Sequence, residues 1–424
     1  MNASPAATST ALDSATGTRA TRTPWLLLTL VGMAGLFSGV IGPLLSAFVP
    51  PLVRDVLGDR RTAIGTVMAI DNVLLILLVP VAGALSDRSA SRHTRLPFIV
   101  TGLLMAATGM ALLPWAGAAG IVGVVAALVI LHTGTNLSRA PFQALLADAV
   151  PSRFRSLASA SATFQMCVGA IVFLMLGQLF GMRPAFLAAA ATVVVVSVAM
   201  GIGLRTHAAP STATEEPSLR ALLAVVRAAI SGAIPGLRPV FAASLLLQLT
   251  FQMFTTWYAL HGTERFSVGP REIVSGMIAW AVGGVIGALP AGAIGVRIGR
   301  RATMLLGFAL MAVALLALDR VGSLAMMAPL LAVASACWTL PMANAYPLFV
   351  EPIPRQHRGV LAALYLLAMA LGGAVGDPLN GRLFDLFDGY RPMFLVMAGY
   401  TALAFLAVLL IPRGAGEADT GPDR

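Results

Sequence analysis

Asp71 breaks one long apolar run of this chain, and His132, Asn136, Arg139 and Gln143 break another. The last four are spaced by four, three and four residues, which sets them along one face of a helix. Each type brings a chemistry. A carboxylate carries a proton or a cation, a guanidinium grips a carboxylate or hydroxyl, and amides bond hydroxyls. Ionisable groups inside a membrane are expensive and face a water-filled cavity or another helix. The plainer alternatives are a structural carboxylate at Asp71, an ion pair holding the bundle at Arg139, and a helix–helix hydrogen bond at His132.

A second set of candidates lies further along. Gln248 and Gln252 are four apart and share a helical face, while Trp280 and Trp338 sit well inside their apolar runs. Trp25 and Trp115, by contrast, lie at run ends and read as interface anchors. Indole rings stack on the apolar face of a sugar and amides bond its hydroxyls; plain bundle packing is the alternative for either Trp. Asn344 and Gln165 are further cavity candidates. Asp377 follows Gly372, Gly373 and Gly376 and precedes Pro378, a stretch that permits close helix approach and an interrupted ladder. It is a candidate for gating or coupling, against a kinked helix end.

These residues need membrane helices to position them. Hydrophobic residues make up 58% of the 424 positions and charged residues 11%, well below the roughly 25% of a soluble protein. Apolar runs fall at about 25–49, 63–86, 97–115, 119–147, 156–180, 184–204, 239–262, 271–296, 301–318, 322–350, 358–383 and 391–412. They meet or approach the ~20 residues that cross a bilayer, where only helices satisfy their own backbone. The expected fold is an all-α integral membrane protein of twelve helices in two six-helix bundles. Residues 1–24 read as a disordered cytoplasmic tail, 25–204 as the first bundle, 205–238 as a cytoplasmic linker with a surface helix over Ser218–Ser231, 239–412 as the second bundle, and 413–424 as a tail.

The net charge of +10 comes from Arg residues scattered singly through loops, not a stripe, which argues against nucleic acid. Eighteen of the 28 basic residues fall on the cytoplasmic side if the N-terminus is inside. That bias predicts both termini in the cytoplasm, in the cell (inner) membrane. Two cysteines, Cys167 and Cys337, exclude a disulfide framework or Cys-rich metal site.

Two loops are duplicated. Gly83–Arg95 returns in degraded form as Gly292–Arg301, and Asp148, Pro151 and Arg155 return with the same spacing as Glu351, Pro354 and Arg358. The chain therefore reads as two related halves, an architecture suited to rocking one against the other.

The loop Gly83-Ala-Leu-Ser-Asp87-Arg88 resembles the signature between helices two and three of the major facilitator superfamily. With Pro80, the run Arg95-Leu-Pro-Phe-Ile99, and the span from Pro141 through Asp148 to Pro151, it is most similar to the glycoside/sucrose-type sugar:cation symporter branch. The resemblance implies the twelve-helix plan, helices two and eleven meeting where the halves touch, and a cytoplasmic gate. In that gate Asp87 faces the N-terminal dipole of helix eleven, and Arg88 and Arg95 pair with acids such as Asp148. Arg155, Glu351 and Arg358 are the remaining gate candidates. Val296 stands at the Asp87 place of the second copy, so the gate is expected to be lopsided. Leu75 and Val79 replace the two acids that some members of this branch use for a cation, and the fifth span has no Pro, unlike many drug:proton antiporters.

The expected function is secondary active transport of a small polar organic solute, a sugar or glycoside first among them, by proton-coupled symport. Another monovalent cation could replace the proton. The alternatives are efflux of amphipathic compounds, suited by 19 Met residues, and a non-transporting sensor or partner subunit. No cofactor, metal or enzymatic motif is expected, and the chain reads as a monomer in the bilayer.

Overall fold

The computed structural model describes residues 25–87, 95–150, 154–204, 227, 237–350 and 358–411. The linker helix expected over Ser218–Ser231 lies outside them, apart from residue 227. Helices account for nearly all the described residues, and no strand occurs among them. In chain order they are α1 (Trp25–Leu57), α2 (Arg61–Met68), α3 (Ile70–Asp87), α4 (Arg95–Ala116), α5 (Gly120–Ala149), α6 (Arg155–Phe180) and α7 (Met182–Gly203). The second half holds α8 (Leu237–Phe266), α9 (Pro270–Ile298), α10 (Arg300–Arg320), α11 (Leu324–Val350), α12 (Arg358–Leu386) and α13 (Met393–Leu409).

Only Ala69 separates α2 from α3, and Ala69 and Val73 still donate to Gly65 and Ala69 one turn back, so the two form one rod. Counting them together gives six rods in each half among the described residues, the expected twelve-helix plan. Among the described residues, nine stretches are long and apolar enough to cross a membrane, one of them running through both α4 and α5, and α13 is a shorter apolar helix. The outer faces carry apolar side chains such as Val122, Phe164, Val195, Ile202 and Val313 into open surroundings, as lipid-facing helices must. Sharp reversals rest on glycine: Gly181 (φ +84°) alone links α6 to α7, and Gly299 (φ +86°) alone links α9 to α10.

Helices pack backbone to backbone through small residues. A side chain at Gly35 would meet the Ala162 carbonyl oxygen at 1.8 Å, joining α1 to α6, and one at Gly283 would meet the Ala332 oxygen at 2.0 Å, joining α9 to α11.

We call the end of the bundle where α1 begins the terminal side and the opposite end the distal side. The core shows which side joins the halves. One apolar cluster runs from the first half into Met253, Phe254, Trp257 and Phe394 on the distal side of the second. A separate cluster, from Val240, Ala243 and Met304 to Leu348 and Ile411, belongs entirely to the second half on its terminal side. The halves are thus welded distally, while the terminal side of the second half keeps its own core.

Candidate functional site

The polar stripe of α5 meets Asp71 of α3. His132 Nδ1 lies 2.9 Å from Asp71 Oδ1, and Asn136 Nδ2 donates to the same oxygen at 3.2 Å. Asn136 Nδ2 also donates to the His132 carbonyl at 2.9 Å, which ties the amide to its own helix. Asn136 is buried, the His132 side chain is 11% exposed, and Asp71 is 39% exposed. Asp71 Oδ1 thus meets both an imidazole nitrogen and an amide donor, and the carboxylate keeps one side open. The expected single face of α5 therefore divides. His132 and Asn136 engage Asp71, while Arg139 and Gln143 continue along the same face towards the terminal side and are exposed.

Asp71 stands beside the seam between the halves. A side chain at Gly373 of α12 would fall 2.2 Å from the Asn72 amide, so α3 touches α12 at the residue next to Asp71. One turn further along α12, Asp377 is wholly buried, with Oδ2 accepting from Gln252 Nε2 at 2.8 Å and Oδ1 buried without a hydrogen-bond partner. Gly65 of α2 packs directly on the Asp377 carbonyl oxygen. Gln252 is thereby committed to Asp377, whereas the Gln248 stem packs over Gly372.

The tryptophans form an aromatic platform. Trp338 stacks on Phe251 with centroids 4.9 Å apart, Trp280 stacks on Phe254 at 4.0 Å, and the two indoles lie 6.3 Å apart. Trp280 is buried and Trp338 half-buried.

Other candidates take supporting positions. Asn344 is buried and donates to the carbonyls of Ala291 and Leu340, which holds α11 to α9. Gln165 donates to the Thr29 carbonyl and Ser161 Oγ, tying α6 to α1. Arg95, half-buried, opens α4. Arg88 and Glu351 lie outside the described residues, as do the side chains of Asp87, Asp148, Arg155 and Arg358.

The structure adds residues that sequence pattern does not single out. On the distal side, Asp385 of α12 accepts from the backbone N–H groups of Arg61 (3.2 Å) and Thr62 (3.0 Å) and from the Thr62 hydroxyl. Arg61 reaches back to Asp388 at 3.3 Å and lies over the Tyr390 ring at 5.1 Å. Arg271 of α9 donates to the carbonyls of Gln178 and Leu179 at the end of α6. These contacts join the halves on the distal side of Asp71.

A sequence profile described as the Major Facilitator Superfamily matches residues 27–280 and 240–423. The chain is 26% identical over 413 residues to the magnetosome protein MamH of Paramagnetospirillum magneticum (strain ATCC 700264 / AMB-1), covering 89% of this chain and 91% of that protein. Among solved structures, it is similar to a bacterial homologue of the human lysosomal transporter Spinster in an inward-facing, unoccupied conformation. That match has a TM-score of 0.73 and 14% identity, over 91% of this chain and 97% of that one. A mutant form of the nucleoside transporter NupG gives 0.71 and 14%, over 91% and 100%. The POT family transporter PepTSo gives 0.70 and 13%, over 94% and 99%. The profile spans both halves and the fold is similar to theirs over more than nine-tenths of this chain: this chain is a multi-pass membrane transporter belonging to the major facilitator superfamily.

Proposed function

We propose that the chain takes up a small polar organic solute with protons, by alternating access between its halves. The observation that carries this reading is the Asp71–His132–Asn136 unit. It places a carboxylate and an imidazole 2.9 Å apart within two membrane helices, beside the seam where the halves meet. A structural hydrogen bond has no need of two titratable groups there, while a proton carrier does. With the Arg bias putting the termini inside, the distal side is extracellular and the terminal side faces the cytoplasm.

Arg139 and Gln143 then line the cytoplasmic approach to the site and offer donors to a hydroxyl or carboxylate. In the second half the Phe251–Trp338 stack offers a flat apolar surface. Donors and a ring together suit a hydroxylated solute with one apolar face, as in a sugar or glycoside. The solute leaves chemically unchanged, and the protein acts as a monomer in the inner membrane.

The same aromatic platform favours one rival, efflux of an amphipathic compound. Solute-driven proton movement in proteoliposomes separates the two. Inward proton flow with a sugar, lost in Asp71→Asn, supports symport. Proton flow opposite to a hydrophobic cation overturns it, and unchanged coupling in Asp71→Asn removes that carboxylate from the mechanism.

A further inference from the structure

We propose that Asp385 and Arg271 are the positioning residues that hold the distal side of this transporter shut, each by capping a helix end that belongs to the other half. The inference goes beyond the solute and the coupling ion and depends on neither.

The two contacts share one logic. The first turn of a helix leaves N–H groups without intrahelical partners, and the last turn leaves carbonyls; each end carries a matching partial charge. Asp385, near the end of α12, supplies a carboxylate to the start of α2, taking the N–H groups of Arg61 and Thr62 together with the Thr62 hydroxyl. Arg271, in the first turn of α9, supplies a guanidinium to the end of α6, giving its hydrogen bonds to the Gln178 and Leu179 carbonyls. Both charges belong to the second half and both helix ends to the first. One latch lies on the α2–α12 seam and the other on the α6–α9 seam, so the distal opening is fastened along both its edges.

Two other arginines show what such a contact does when it need not break. Arg265 of α8 donates to the carbonyls of Leu318, Asp319 and Val321 around the end of α10, and Arg301 of α10 donates to those of Val408 and Leu409 at the end of α13. Both of these caps lie within the second half, which moves as a body in alternating access. The Arg271 cap crosses between halves and must break whenever the distal side opens.

The Asp385 latch is built to close in register. Gly381, one turn before Asp385, would meet the Arg61 carbonyl oxygen at 2.4 Å if it carried a side chain, so α12 seats directly on the start of α2. Tyr390, under the Arg61 guanidinium, is itself pinned: its carbonyl lies 2.8 Å from His261 Nδ1 and its N–H donates to Glu264. A cleft of about 730 Å³, lined by Asp59, Arg60, Thr62, Thr66 and Asp385 among others, reaches this cap. Water can therefore replace the cap's hydrogen bonds on opening, which keeps the latch reversible.

The test is a distance measurement across the seam. Spin labels at Arg60→Cys and Leu386→Cys, both exposed positions flanking the latch, are placed in a Cys167→Ser, Cys337→Ala background and read by double electron–electron resonance in nanodiscs. Asp385→Ala and Arg271→Ala should each raise the ratio of long to short distances roughly tenfold, as expected for losing one helix cap. Arg265→Ala should leave the distribution where it was. Thr62→Val, which keeps the backbone donors, should give a smaller shift and serves if Asp385→Ala does not fold. An unchanged distribution in Asp385→Ala or Thr62→Val, or in Arg271→Ala, overturns the two-sided latch. So does an equal shift in Arg265→Ala, which would mark general loosening.

Discussion

Gly65 of α2 lies against the main-chain carbonyl of Asp377 in α12, so close that a Cβ on Gly65 would fall 2.1 Å from that oxygen. No real Cβ sits there, and the listener on the other side is backbone, which cannot swing away. Gly65→Ala should therefore force the seam apart. A cysteine at Ala69, buried one turn along, reports the change. Its labelling by a membrane-impermeant maleimide from the distal side should speed up roughly tenfold in Gly65→Ala. An unchanged rate would mean that the seam absorbs the methyl elsewhere.

His132 should be as important to coupling as Asp71, since the two share one contact at 2.9 Å. His132→Gln keeps a donor amide near Asp71 but cannot hold a proton as a cation. The expected result is solute exchange retained and proton-driven accumulation reduced by roughly 10- to 100-fold. Exchange and accumulation falling together would instead assign His132 a packing role.

The polar stripe of α5 was legible because helical period fixes which residues share a face, whatever the surroundings. The twelve-rod plan was legible for a similar reason, since apolar length sets what can cross a bilayer. Pairing was another matter. That His132 and Asn136, rather than Arg139, make the direct contacts to Asp71 depends on the relative height of α3 and α5, which no spacing within one helix reveals. Asn344 reads from sequence as a cavity candidate, and its contacts to the carbonyls of Ala291 and Leu340 carry no residue signature. Asp385 and Arg271 are not legible in the sequence for a plainer reason. Charges near helix ends are commonplace, and the groups they cap are backbone atoms with no residue signature. Gly65 and Gly381 were readable as small residues, but not as the two points where α12 seats on α2.

Arg265 gives a prediction about stability alone. It donates to three carbonyls around the end of α10, one of them Asp319 at 2.7 Å. Arg265→Ala strands those groups and should cost about 1–3 kcal/mol. Thermal unfolding in detergent, followed by tryptophan fluorescence, should show a lower Tm with transport per folded molecule preserved. Transport lost at unchanged Tm would contradict a purely structural cap.

Gln252 Nε2 donates to the buried Asp377 carboxyl at 2.8 Å. Gln252→Leu removes the hydrogen bond that Oδ2 of this wholly buried group accepts. Burying an unsatisfied polar group costs about 1–3 kcal/mol, more if it is charged. The variant should fold with lower stability, and Gln252→Leu combined with Asp377→Leu should recover much of the loss, because an apolar pair leaves nothing unsatisfied. Equal Tm in the single and double variants would show that Asp377 does not depend on Gln252.

Trp338 tests the solute reading most directly. Its ring stacks on Phe251 at 4.9 Å with a tilt of 19°, and it stays half-buried while Trp280 is closed off. If the platform receives the apolar face of the solute, Trp338→Ala removes that surface and should raise KM roughly tenfold with little change in kcat, the signature of lost ground-state binding. Trp338→Phe keeps a ring and should recover most of the affinity. A platform that only packs the bundle behaves differently: Trp338→Ala then opens a cavity, lowers Tm, and leaves KM for the surviving folded protein where it was. Measuring KM and Tm on the same preparations therefore separates a binding surface from a packing one, and a normal KM at depressed Tm would move the solute site away from α11.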